Sequence, residues 1–432
     1  MPNQFTASLW GDEAFSAILA QKPLWEIVTT LVRDTSPPGY YFVEHFWLQV
    51  FGTSEVAIRS LSFVLFLITV FFVYKIGALV WDKKTGIVAA MLTFLNPFLF
   101  IYAFEGRMYM IMTAGVTASM YFFLTRNWVF YIIATTIALY SHHFAIFAVF
   151  VQGLWFLKEL AIGNWKLVIP MLKAFLVIAL AYLPWVYPLY SQTRMVGAGF
   201  WLGKPSLRDA WELIRKFLTE ASPHKLATPI LYLFWVTLLF RRWERNKEMT
   251  LFFLAWFLIP IALTYLISQQ FQSIFFDRYM LYTIPGAMLV LASNRRRISE
   301  ALLVFAVILL FIINWFYFTH PTKRPFRELA TYVKQTQKPG DFLVNHNAAA
   351  HHLWESKYYG IPAPLWVPEG ELPFYVGTAL MEKEDTVRTI PDATRIGIIT
   401  SGNLAEINLV GYTQKETKSF GPLTFAWYEK HP

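Results

Sequence analysis

The sequence predicts a mainly α protein, a polytopic bundle of about ten membrane spans followed by a small α/β domain. Three observations predict it. The first is composition: of 432 residues, 56% are hydrophobic, 18% aromatic and 15% charged, whereas soluble domains run at about 25% charged. The second is a series of apolar runs near the roughly 20 residues that a spanning helix needs. The third is a one-sided distribution of basic residues between those runs. Disorder, collagen and coiled coil are excluded by the apolar load without repeats. With no Cys, a disulfide scaffold, a Cys-ligated zinc site and a Cys nucleophile are excluded as well.

In order, the apolar runs are 57–80, 85–104, 106–125, 128–141, 143–159, 166–188, 227–240, 250–268, 279–293 and 299–318. The connections 81–84, 125–127, 158–166, 241–248 and 294–298 hold twelve Lys or Arg against four carboxylates. The short alternate connections hold only Arg107 and Arg278. Basic loops stay cytoplasmic, so 1–55, 104–107, 141–143, 190–226, 269–278 and 320–432 are expected on the extracytoplasmic face of the plasma (inner) membrane. The net charge of +9 is therefore a topology signal, and no nucleic-acid partner is expected.

The outer segments carry structure of their own. Residues 12–33 and 37–51 alternate apolar and polar side chains and break at Ser36-Pro37-Pro38-Gly39, as interfacial helices do. Ser206 caps a further amphipathic helix over 206–219. After 318 Pro, Gly and charges become frequent. Helices are expected at Arg327–Gln337 and Ala348–Lys357, and strands at Asp341–Asn345, Arg395–Thr400, Thr413–Lys418 and Leu423–Tyr428. The expected domains are a membrane domain over 1–318, with 1–55 as its outer catalytic loop, and an extracytoplasmic α/β domain over 319–432.

The ionisable residues on the outer face are candidates for chemistry, because charge held against hydrocarbon is costly. Asp12-Glu13 reads either as a helix start or as a carboxylate that takes a proton from an attacking hydroxyl. Glu105-Gly106-Arg107 reads as an interfacial ion pair at a kink, or as a second acidic site with a cation for phosphate. Arg59 and Arg278 open spans, either as snorkelling anchors or as phosphate ligands. His142-His143 bind a metal, meet phosphate or cap two short helices. His351-His352 read as surface. There is no GxxxxGK[ST] loop, no GxSxG elbow and no HExxH.

The order of these motifs is familiar. It runs Leu9-Trp10-Gly11-Asp12-Glu13-Ala14, Ser36-Pro37-Pro38-Gly39-Tyr40-Tyr41, Ala57-Ile58-Arg59-Ser60-Leu61-Ser62, Asn96-Pro97, Glu105-Gly106-Arg107-Met108-Tyr109, Tyr140-Ser141-His142-His143-Phe144 and Asp277-Arg278-Tyr279-Met280. Over roughly 8–295 it resembles the bacterial GT-C glycosyltransferases. These are relatives of the protein O-mannosyltransferases, the aminoarabinose lipid A transferase and the rhizobial lipopolysaccharide galacturonosyltransferases. The resemblance implies transfer of a sugar from a polyprenyl-phosphate carrier to an extracytoplasmic lipid, glycan or protein acceptor. It maps the acidic catalytic motif onto Asp12 and Glu13 and the second acidic position onto Glu105. The family's span-opening Arg maps onto Arg59, and its late Arg-Tyr pair onto Arg278-Tyr279.

Two departures follow. Family members usually carry a membrane helix before the acidic loop, so an upstream helix is expected to be missing from this chain. Relatives often place Lys or His before Pro-Pro to meet phosphate, where this chain has Asp34-Thr35-Ser36. That shifts the expected phosphate contacts to Arg107, Arg278 and Lys204, with His142 and Tyr279 beside them. Asp12 is expected to act as base in a single inverting displacement, with Glu13 and Glu105 as orienting groups. Metal use is left open: a divalent cation on Asp12, Glu13 and Glu105 is the one cofactor candidate, and Arg could substitute for it. The competing readings are a transporter or flippase of lipid-linked sugars and a non-catalytic membrane receptor.

Overall fold

The computed structural model describes residues 3–219, 246–293, 300–346 and 351–431. The expected span 227–240, the basic residues Arg241, Arg242, Arg245 and Arg295–Arg297, and the expected helical start at Ala348 lie outside the described residues. The chain divides into two compact units, one of Met1–Asp34, Tyr41–Ile58 and His320–Pro432, the other of Thr35–Tyr40 and Arg59–Thr319.

The second unit is the helical, apolar one. Among the described residues, four helices are long and apolar enough to cross a membrane: Glu55–Val80, Trp165–Ala198, Lys247–Gln270 and Ala301–Thr319. Two shorter apolar helices, Tyr109–Leu124 and Trp128–Ser141, accompany them. The expected count of ten spans goes beyond what these helices establish. Their outward side chains are themselves apolar: Leu172, Leu176 and Leu180 on one helix, Ile308, Phe311 and Ile312 on another. A water-soluble bundle would place polar groups there, so the chain is a multi-pass membrane protein.

Three local rules shape this unit. The expected span 85–104 is two helices, Lys83–Phe94 and Pro97–Tyr102, because proline has no N–H to continue a helix and Asn96 caps the restart. The Asn96 side chain accepts from Leu99 N at 2.9 Å and donates to the carbonyl of Phe217 at 2.7 Å. It thereby ties the amphipathic helix Leu207–Thr219 to the bundle. Small residues let helices close up: a Cβ on Gly77 would lie 2.7 Å from Gly86 Cα, and one on Gly86 2.6 Å from the Tyr74 carbonyl. Buried polar groups satisfy each other across helices. Ser119 bonds Thr135 at 2.8 Å, Gln152 donates to Ser119 at 2.9 Å, and Tyr131 donates to Gln152 at 2.9 Å.

The first unit joins N-terminal helices to a six-stranded mixed sheet. Residues 12–33, expected as one helix, form two, Gly11–Ala20 and Leu24–Leu31. Pro23 stands at the start of the second, where its missing N–H costs nothing. Strands β1 (Phe342–Asn345), β2 (Leu365–Trp366), β3 (Thr386–Val387), β4 (Arg395–Thr400), β5 (Tyr412–Phe420) and β6 (Leu423–Lys430) lie in the order β3-β2-β1-β4-β6-β5. The first four pair in parallel, and β6 is antiparallel to both β4 and β5. Period-two alternation builds a core on each face. Leu343, Ile399, Phe425 and Trp427 pack under the helix Phe326–Thr336, whereas Val344, Ile396, Ile398 and Tyr428 point the other way. The two-residue strands β2 and β3 are too short to leave a pattern in the sequence.

Candidate active site

The predicted site residues fall in both units, and each group is built by its own unit. In the first unit, Asp12 and Glu13 occupy the opening turn of the helix Gly11–Ala20. The positive end of a helix favours carboxylates there. Glu13 is fully buried, and its carboxylate accepts from Lys323 Nζ at 2.7 Å and from Trp10 N at 3.3 Å. Its side chain is thus held by a desolvated ion pair and a helix-start bond. The Asp12 side chain keeps 17% exposure and stands 3.5 Å from His351 Nδ1.

The helix His351–Tyr358 supplies a second layer. His352 is fully buried, and its Nε2 lies 2.9 Å from Arg324 Nη1. Burial first, then the Arg324 guanidinium and the adjacent His351, lower it to about 3, so it stays neutral. Reading His351-His352 as surface is therefore corrected: one is core and the other meets Asp12. Glu355 is fully buried as well, and neither carboxyl oxygen has a hydrogen-bond partner among the described residues. Burial raises it to about 8, with Arg324 opposing and Glu13 and Asp12 reinforcing. A carboxylic acid held neutral beside two carboxylates adds no third negative charge at pH 7.

This arrangement has a stability signature. The folded Glu355 holds its proton up to about pH 8, whereas the unfolded side chain loses it near pH 4.3. Stability is therefore fully present below the lower value and declines as pH rises through the upper one. Glu355→Gln should leave the thermal midpoint at pH 4 nearly unchanged and raise it by several degrees at pH 8. Equal midpoint shifts at both pH values would refute this account.

The second unit gathers the other candidates. Arg59 is fully buried one turn into the helix Glu55–Val80. Glu105 is 8% exposed, and its backbone carbonyl accepts from Ser62 Oγ at 2.5 Å. Arg107 follows the Glu105 turn, its N–H donating to the Glu105 carbonyl at 2.8 Å. His142 ends the helix Trp128–Ser141. Its ring lies 5.0 Å from that of Tyr279 and 6.2 Å from that of Tyr109. The Arg278 guanidinium lies over Tyr109 at 5.4 Å and Phe276 at 4.9 Å. Burial first, then His143 and the guanidiniums of Arg107 and Arg278, hold His142 well below its ordinary range. A neutral imidazole and two guanidiniums thus share a neighbourhood walled by aromatic rings. His143 is occupied elsewhere, bonding Tyr182 and Gln192 at 2.9 Å each. Lys204 is exposed and donates to the Gln269 carbonyl at 3.2 Å.

Among the described residues no group of three His, Asp or Glu is placed to hold a metal ion. Glu13 is already spent on Lys323. Asp12 and Glu13 belong to one unit and Glu105 to the other.

Two crystal structures of ArnT from Cupriavidus metallidurans share this architecture. The apo form superposes with a TM-score of 0.68 at 11% identity, covering 98% of this chain and 94% of that one. The form bound to undecaprenyl phosphate gives 0.66 at the same identity and coverage. The fold is that of the GT-C glycosyltransferases. Residues 35–187 of the chain match the family model for dolichyl-phosphate-mannose-protein mannosyltransferase. That stretch contains Arg59, Glu105, Arg107 and His142 and leaves Asp12, Glu13, Arg278 and Tyr279 outside. No curated protein matches the sequence.

Lys323, Arg324, His351 and Glu355 escaped sequence reasoning. Each lies more than 300 positions from Asp12, and no local spacing links them. The only signal was their isolation: a His-His pair and a carboxylate within an otherwise apolar helix turn, His351-His352-Leu353-Trp354-Glu355.

Proposed function

We propose that the protein is a glycosyltransferase of the cell envelope that takes a sugar from a polyprenyl-phosphate donor and passes it to an extracytoplasmic acceptor. The observation that carries this reading is the aromatic-walled cluster of the helical unit, where the Arg278 guanidinium lies 5.4 Å over Tyr109 and the buried His142 lies 6.2 Å from that same ring and 5.0 Å from Tyr279. Guanidiniums are permanently charged and offer paired donors, which suits a phosphate that gains charge as it leaves. The ArnT structure with undecaprenyl phosphate supports the choice of donor class.

In this mechanism Asp12 accepts the proton of the acceptor hydroxyl. The hydroxyl oxygen bonds to the anomeric carbon as the carbon–oxygen bond to phosphate breaks, and polyprenyl phosphate departs with the electron pair. A single displacement inverts the anomeric centre. Arg59, Arg107 and Arg278 neutralise the phosphate, while His142 and Tyr279 line its pocket. Glu13 and Glu105 fix the surrounding backbone and side chains. The site faces away from the cytoplasm across the inner membrane, and the 319–432 domain shapes access of the acceptor.

The test uses purified protein in lipid nanodiscs with undecaprenyl-phosphate-linked mannose, glucose, galacturonate and 4-amino-4-deoxyarabinose. Envelope extract from a deletion strain serves as acceptor. Release of undecaprenyl phosphate from one donor, with gain of that sugar by the extract, is expected. Intact donors throughout, together with an unchanged envelope glycan profile in the deletion strain, would overturn the proposal.

A further inference from the structure

We propose that His351 is a positioning residue for Asp12 that also carries away the proton Asp12 collects. The inference rests on the assignment of Asp12 as base. Three observations in the first unit support it.

The first is contact. His351 Nδ1 stands 3.5 Å from Asp12 Oδ1, and exposure rises along the pair, from 17% for the Asp12 side chain to 41% for that of His351. The imidazole therefore connects a mostly buried carboxylate to water. The second is the residue beside the base. A Cβ on Gly11 would lie 2.3 Å from His351 Cβ and 2.8 Å from His351 Cα. Real Cβ atoms do not approach other carbons so closely, so only glycine at this position lets the two helices bring His351 to Asp12. The third is register. Phe15 and Trp354 meet edge to face with centroids 5.2 Å apart. Gly377, at φ +89°, presses on both rings, where a Cβ would lie 2.9 Å from Phe15 and 3.0 Å from Trp354. The helices Gly11–Ala20 and His351–Tyr358 are thereby locked one against the other, which a loose surface histidine would not require.

The chemistry balances. Asp12 takes the acceptor proton as the new glycosidic bond forms and the phosphate leaves. The resulting carboxylic acid passes its proton to the His351 ring nitrogen 3.5 Å away. The exposed ring then returns a proton to water, and the carboxylate is restored for the next turnover. The charged and titratable groups around the pair are few. Glu13 is neutralised by Lys323. Arg324 is set against His352. Glu355 is held protonated by burial. None of these competes with His351 as an outlet, because the Glu13, His352 and Glu355 side chains are buried.

The experiment measures turnover of whichever undecaprenyl-phosphate sugar in the panel above the wild type consumes. The variants are His351→Ala, His351→Gln and Asp12→Asn, each checked for monodispersity. Both His351 variants should lose about tenfold in kcat with donor KM unchanged, an order expected of one assisted proton transfer. Added imidazole should restore His351→Ala, which has room for it, and not His351→Gln. Full activity in either His351 variant overturns the inference, because an amide that restores the rate shows a structural contact only. Failure of imidazole to restore folded His351→Ala also overturns it. Wild-type activity in Asp12→Asn would instead remove the base assignment, and with it the inference.

Discussion

Asp12→Asn should reduce kcat for glycosyl transfer by about 100- to 10,000-fold, the range contributed by a positioned general base. The donor KM should stay near the wild-type value. The amide has the same shape, so the helix Gly11–Ala20 and its contact with the helix His351–Tyr358 should persist. What it lacks is a lone pair basic enough to take a proton. The side chain suits the task because the helix start stabilises an anion there, and because Glu13 beside it is fixed by Lys323 at 2.7 Å and leaves Asp12 as the carboxylate with exposure. Steady-state rates with the accepted donor decide the matter. Retained activity in a folded Asp12→Asn protein would sink the mechanism.

Arg278→Ala should lower kcat/KM for the polyprenyl-phosphate donor by about 100- to 1,000-fold, the scale for losing one preorganised charge at a developing anion. Arg278→Lys should recover part of this, since it returns charge without the planar fork. Two effects combine in the loss. The guanidinium is held over Tyr109 and Phe276 at 5.4 and 4.9 Å, so its position costs little to fix. It also acts with Arg107 in keeping His142 neutral. Removing it takes away the held cation and also makes the imidazole beside it easier to protonate. An unchanged kcat/KM in Arg278→Ala would detach this corner of the bundle from the phosphate.

The fold was legible where local patterns decide it. The amphipathic helix Leu207–Thr219 and the strands β4, β5 and β6 follow from periodicity and caps. Elements were misjudged where one residue overrides a pattern. Pro23 splits the N-terminal helix and Asn96-Pro97 splits an apolar run, although both signals stand in the sequence. The candidate site divides the same way. Asp12, Glu105 and Arg278 stood out because charges at the ends of apolar runs need a reason. His351, Lys323 and Glu355 did not, because their significance lies in contacts between distant parts of the chain. His352 illustrates the limit: a polar side chain in a mixed segment looks like surface, and only packing shows it sealed against Arg324.

The glycine contact between Gly77 and Gly86 bears on how the protein is made. The helices Glu55–Val80 and Lys83–Phe94 are joined by Trp81-Asp82 alone, with backbone against backbone at the crossing. Two segments so tightly clasped leave no space for a lipid chain between them. They can enter the bilayer together, as one hairpin. Lys83 and Lys84 stand immediately behind that turn.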